Sequence, residues 1–142
     1  MLPSMHFDLV DRVLESSPER IVTLKCVSGA EEYLQDHFPT FPVLPGVMMI
    51  EAMVQAARRL LELRDPALSR HVLGQVKALK YGAFVRPGDA MRVEVALHAA
   101  REDGSFDFKG SAQVVRPDST PGDPLVTSVS GRFALRAPRV GG

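Results

Sequence analysis

An α+β fold, with an antiparallel sheet wrapped around one long central helix, is the architecture this chain predicts. Three observations lead there. The stretch 46–64 has the length of a helix and is apolar around most of its circumference. Almost everything after it alternates apolar and polar residues in short runs, the period of half-buried strands. The 142 residues, 45% of them hydrophobic, suffice for one domain with a real core. That domain is taken as 1–142, with 136–142 a frayed tail.

The first recognisable element covers 7–13, apolar at Leu9, Val10 and Val13, and a polar turn is expected over 15–19. Residues 21–27 are β-branched enough for a strand, with Cys26 as a small buried member. A short helical turn suits 31–35. Pro39, Pro42 and Pro45 then forbid regular helix until Pro45, whose missing N–H costs nothing at a helix start. From Gly46 to about Arg64 the helix should be largely buried. Arg58, Arg59 and Arg64 favour the C-terminal end of its dipole, and Asp65-Pro66 stops it.

Strand-like sequence resumes over 71–85 and ends at the turn signal Arg86-Pro87-Gly88-Asp89. Met91, Val93, Val95 and Leu97 alternate with Arg92, Glu94 and His98. A turn over 102–105, a second alternation from Phe106 to Val114, a polar loop over 117–124 and a last strand from Leu125 to Leu135 complete the chain. That makes about five antiparallel strands. A single sheet over one helix leaves its edges open, and edge-to-edge pairing into a dimer is a natural remedy.

Composition narrows the function. Lys+Arg and Asp+Glu both number 17, so no global basic field exists for non-specific nucleic-acid binding. One cysteine excludes an intrachain disulfide framework, and no Cys/His spacing resembles a zinc site. The longest apolar run, 43–50, is far too short to span a bilayer, and the first eight residues lack the regions of a secretory signal. The expectation is a cytoplasmic protein that uses neither nucleic acid nor membrane.

The span from His37 to Glu51 carries the chemistry. Glu51 begins a polar stripe with Gln55, Arg58, Arg59 and Glu62, at helical spacings of 4, 7, 8 and 11. Either the stripe faces water, or its N-terminal end looks into a pocket. In a pocket, flanked by Met48, Ile50, Ala52 and Val54, a desolvated carboxylate would hold its proton more tightly and serve as an acid. A lone histidine is usually structural, and His6, His71 and His98 are read so. His37 differs because it is locked beside a proline-stiffened loop leading to the helix of Glu51, and fixed geometry is what a general base needs. Gly46 either simply starts the helix or lets a substrate approach an N–H that the helix dipole aims at an oxyanion. A base, an acid and a backbone anion site are the parts needed to move protons next to a carbonyl.

These residues carry a resemblance. His37-Phe38-Pro39, Pro42, Pro45-Gly46-Val47, Glu51-Ala52-Met53 and Gln55-Ala56 resemble the signature of the β-hydroxyacyl-acyl carrier protein dehydratases of fatty-acid synthesis. The likeness continues upstream through Phe7, Leu9 and Val10-Asp11-Arg12-Val13, and downstream through Lys80-Tyr81 and Val85-Arg86-Pro87-Gly88-Asp89. The resemblance implies the hot-dog fold and a cofactor-free, metal-free lyase. His37 would remove the proton alpha to the thioester, and Glu51 would protonate the departing β-hydroxyl. The Gly46 N–H, with Val47 beside it, would polarise the thioester carbonyl. The family brings His and Glu together across a homodimer, which can assemble further as a trimer of dimers, so His37 would serve with Glu51 of the other subunit.

The related dehydratase-isomerases carry Asp at the acid position, so Glu51 favours dehydration of a (3R)-hydroxyacyl thioester to the trans-2-enoyl thioester without isomerisation. Asp36 and Thr40 replace the glycines that usually flank the family's His-Phe-Pro, which bears on substrate preference. Gln55 is either a support for Glu51 or helix surface. Tyr81 and Phe84 either line an acyl tunnel or pack in the core. The methionines, including Met48, Met49, Met53 and Met91, are read as core. Acyl carrier protein is the implied partner. Being acidic, it would dock on basic residues, for which Lys77, Lys80, Arg86 and Arg132 are available. Two other functions share this fold: an acyl thioesterase, and a non-catalytic subunit that binds acyl carrier protein.

Overall fold

The computed structural model describes residues 8–27, 44–120 and 122–138. Six strands and one long helix are found there: β1 Arg12–Ser17, β2 Arg20–Cys26, α1 Gly46–Arg64, β3 Val72–Tyr81, β4 Ala90–Ala100, β5 Phe106–Val115 and β6 Val126–Arg136. The strands form one antiparallel sheet in the order β1-β2-β4-β5-β6-β3. Its concave face wraps α1, which touches β2, β4, β5 and β6.

The helix begins and ends where the sequence says it should. Pro45 stands at the N-cap in an extended conformation, and Asp65 ends the last turn with its N–H bonded to Leu61 O at 2.9 Å. Asp65 also caps a short 3-10 turn, Pro66–Arg70, by accepting from Ala67 N. Met49, Met53, Leu60 and Leu61 fill the space over the sheet, while Ala52, Ala56 and Ala57 let the backbones approach. Met91, Val93 and Val95 of β4, Phe108 and Val114 of β5, and Val129, Phe133 and Leu135 of β6 meet them. Each fully buried aliphatic side chain of this kind contributes about 1.5–3 kcal/mol.

Close approach is most demanding at Gly110, which faces Gly131 across β5 and β6. A Cβ on Gly110 would lie 2.8 Å from Met53 Sδ and 3.0 Å from Phe133 Cε1. Phe133 in turn stacks on Phe108 with ring centroids 5.4 Å apart. The sheet can curl around α1 because nothing protrudes at this point.

The edges depart from sequence expectation for one physical reason. β1 is exposed along its whole length, so it lacks the alternation that marks a strand. Residues 15–17, expected in a polar turn, lie inside it, where Glu15 meets Arg20 and Arg92. Cys26, expected buried, is exposed. The alternation that turns Ile21 inward puts the last residue of β2 on the other face. β3, the opposite edge, is broken by bulges at 73–75 and 77–80, with Ala78 at φ 52. Bulges and lysines on an edge discourage indiscriminate pairing. The helical turn expected over 31–35 lies outside the described residues.

Replacing Gly110 by Ala is expected to cost about 1–3 kcal/mol, because a methyl group must displace Met53 or Phe133 in a packed layer. Urea unfolding with an unchanged slope measures it, and native-like stability would show slack between α1 and the sheet. The Arg20 guanidinium, 2.8 Å from Glu94, holds that carboxyl below its usual range, helped by Arg92. Its stabilisation is therefore present above the ordinary carboxylate pKa and lost as pH falls through the lowered one. Arg20→Gln should thus be less stable than the native chain at neutral pH, with the gap closing below about pH 4. A gap of constant size from neutral to acid would refute the linkage.

Candidate active site

Two strands and a turn hold the start of α1 in place. After β3, Gly82 N and Ala83 N donate to Ser128 O and Thr127 O, extending the ladder with β6. Leu44 N donates to Val85 O at 2.7 Å, which ties the approach to the helix to that same segment. The following turn is organised by Asp89, a buried carboxylate that accepts from Arg86 N and from Arg116 Nη1.

The first helical N–H groups are open. Met48 N and Met49 N bond to Pro45 O at 3.0 and 3.3 Å, whereas neither Gly46 N nor Val47 N donates to any described residue. Open N–H groups at the positive end of a helix suit an anion or a polarised carbonyl oxygen. Gly46 is needed here for space. A Cβ would lie 2.7–2.9 Å from Cε1, Cζ and Oη of Tyr81, so the phenol ring lies against the helix start.

Tyr81 and Phe84 do not pack in the core. Their exposures are 54% and 55%, and Val47 reaches 68%. Chain periodicity could not reveal this, because β3 is an edge strand and Phe84 follows its end. Of the methionines, Met49, Met53 and Met91 are buried and Met48 is half-buried.

Glu51 stands just over one turn beyond Gly46. Its side chain is 41% exposed, with Oε1 4.0 Å from Arg58 Nη2. Of the two alternatives for Glu51, the desolvated carboxylate is therefore not found within one chain. The polar stripe divides. Gln55 Oε1 accepts from Leu9 N at 2.8 Å, and Arg58 Nε donates to His71 O at 2.9 Å, so both are covered by neighbouring chain. Arg59 and Glu62 face water. Arg58, read from sequence as a dipole partner and a member of the stripe, also lies beside Glu51. The spacing of seven residues was the available signal.

His37 lies outside the described residues, as do Asp36 and Thr40. His71 is buried, with Nε2 2.8 Å from Gly104 O and its ring against Phe106. Among the described residues no cluster of three or more His, Cys, Asp or Glu side chains could hold a metal ion. No described helix is long and apolar enough to cross a membrane.

Known proteins resemble this chain in sequence and in fold. The ApeI-like family model, described as ApeI dehydratase, matches residues 14–118. A 3-hydroxyacyl-[acyl-carrier-protein] dehydratase FabZ from Symbiobacterium thermophilum is 37% identical over 139 residues, covering 95% of this chain and 92% of that one. The FabZ of Oenococcus oeni is 42% identical over 97 residues, covering 67% and 70%. Among solved structures, the dehydratase heterocomplex ApeI:P from Xenorhabdus doucetiae superposes with a TM-score of 0.63 at 16% identity, covering 90% of this chain and 96% of that one. An acyl-CoA hydrolase mutant from Staphylococcus aureus gives 0.60 at 10% identity, covering 87% and 68%. The structural likeness establishes the hot-dog fold. With the family model and the sequence identities, it follows that the chain belongs to the 3-hydroxyacyl-[acyl-carrier-protein] dehydratase family.

Proposed function

We propose that this protein dehydrates a (3R)-hydroxyacyl thioester on acyl carrier protein to the trans-2-enoyl thioester, in fatty-acid or related lipid biosynthesis. The observation that carries the reading is the helix start. Open Gly46 and Val47 N–H groups stand about a turn from the Glu51 carboxylate, in a chain 37% identical to a FabZ over nearly its whole length.

In this reading His37 takes the proton from the carbon alpha to the thioester. The C–H electron pair becomes the new C=C bond, and the β C–O bond breaks as Glu51 delivers a proton to the oxygen, releasing water. Negative charge that develops on the thioester oxygen falls to the Gly46 N–H. Elimination of water is redox-neutral, so no cofactor is required. Tyr81, lying on Gly46, and Phe84 are read as walls of the acyl path, and Gln55 and Arg58 as groups that steady the neighbourhood of Glu51.

The reading includes a homodimer, itself able to form a trimer of dimers, in which His37 of one subunit works with Glu51 of the other. The exposed Val47, Tyr81 and Phe84 and the open edge of β3 support it, since a second subunit would cover them and exclude water from Glu51.

Purified protein should raise enoyl-thioester absorbance from a 3-hydroxyacyl substrate. His37→Ala and Glu51→Gln should each lower that rate by roughly 10²–10⁴ while keeping the native circular dichroism. Full activity in either variant would remove that residue from the mechanism, and release of free thiol instead of enoyl product would identify a thioesterase. Gly46→Ala should push Tyr81 off the helix start. The chain has two tyrosines, so in a Tyr33→Phe background acrylamide quenching reports Tyr81 alone. Quenching should increase, and unchanged quenching would mean that the ring does not rest on Gly46.

A further inference from the structure

One turn of the chain receives both ends of the segment that carries His37. Val27, just past β2, donates to Asp89 O at 3.0 Å and accepts from Gly88 N at 2.9 Å. Leu44, just before the helix, donates to Val85 O at 2.7 Å. Residues 27 and 44 are thus tied to positions 85–89, and His37 lies between them in sequence. Val27, Leu44 and Val85 are all buried. Through Leu44 and Pro45 the same turn is also the reference for the helix start at Gly46.

This turn is fixed more firmly than a surface loop requires. Asp89 N donates to Arg86 O at 2.9 Å, with Pro87 and left-handed Gly88 (φ 96) between them, as a tight turn demands. The Asp89 carboxylate closes the turn a second time, its Oδ2 accepting from Arg86 N at 3.0 Å. Arg116 Nη1 donates to that oxygen at 2.9 Å, and Arg116 Nη2 donates to Phe84 O at 3.4 Å. One guanidinium therefore spans the turn, from Phe84 at its entry to Asp89 at its exit. Asp89 precedes β4 and Arg116 follows β5, whose ends pair at Ala90 and Val115. The pair thereby refers the turn to the two central strands of the sheet.

Stability is a poor reason for such an arrangement. The Asp89 side chain is 7% exposed, and desolvating a carboxylate offsets much of what its cation returns. What a buried and multiply bonded carboxylate supplies is one defined geometry. A general base depends on such geometry, since a misplacement of about 1 Å can cost roughly 10²-fold in rate.

We propose that Asp89 and Arg116 are positioning residues for His37, holding the turn from which the base-bearing segment departs and to which it returns. The role of His37 as base rests on the dehydration reading above. The test measures kcat and KM with one 3-hydroxyacyl substrate, unlabelled and deuterated alpha to the thioester. Arg116→Met removes both donors. It should lower kcat about tenfold or more with KM nearly unchanged, and raise the isotope effect because proton removal has slowed. A loss of folded molecules would lower kcat and leave the isotope effect where it was. Arg116→Met also leaves a buried carboxylate without its cation, so it should melt earlier. The double variant Asp89→Asn, Arg116→Met removes that charge. It should melt later than the single variant and still keep the raised isotope effect. Arg116→Lys restores the charge and one donor and should recover part of kcat. Arg101→Met, which breaks the exposed pair with Asp107, should leave kcat and the isotope effect unchanged.

Imidazole nuclear magnetic resonance signals of isotope-labelled histidine read the same effect without turnover. The chain has four histidines, and His37→Ala assigns one signal. That signal should move in Arg116→Met and in the double variant, while those of His71 and His98 stay. A His37 signal that stays in place in both variants, or an isotope effect equal to the native one, would overturn the proposal. A signal that moves, in a protein that turns over no 3-hydroxyacyl thioester, would support the positioning role and refute the dehydration reading instead.

Discussion

Everything in this molecule depends on how closely one helix can be laid into a curled sheet. The limiting contact is at the centre of β5, where Gly110 leaves room for Met53 and Phe133 and no side chain could intervene without displacing them. Ala52, Ala56 and Ala57 do the same from the helix side, and larger residues fill the periphery. A packed interior tolerates little change in volume, so this contact determines the distance and tilt of α1 along its length. The position of the helix start follows from it.

That dependence links core to chemistry. The middle and C-terminal turns of α1 are held by burial, and Arg58 adds a hydrogen bond to the carbonyl of His71 just before β3. The N-terminal turn is held differently, by Pro45, by the Leu44–Val85 bond and by the ring of Tyr81. The first turn emerges from the core with its N–H groups open, while the rest is locked. Such a helix start is rigid where it is supported and accessible where the proposed dehydration would place the thioester oxygen.

Much of this was legible in the chain. The helix bounds followed from Pro45 and Asp65-Pro66, because a missing N–H and a fixed φ act locally. β4, β5 and β6 followed from alternation, because each has one face on α1. β1 escaped notice because an edge strand exposed along its whole length has no inner face to impose a period. For Cys26, Tyr81 and Phe84, apolar character alone could not decide burial, since strand parity and edge position do. The stripe from Glu51 to Glu62 was ambiguous for a similar reason. Its burial is conferred by distant chain, through Leu9 and His71, and changes along its length.

The two faces of the sheet obey different rules, and the difference is informative. The inner face is consistent at every level, with period, size and packing pointing to one arrangement. On the outer face, Arg20, Glu94 and Arg92 show that this sequence can place opposite charges across neighbouring strands. The same solution was available between Lys77, Arg132 and Lys109, where one acid at position 132 would have satisfied two lysines. That row keeps its repulsion instead, relieved only where the Asp107 carboxylate, bonded first to Arg101, also feels Lys77.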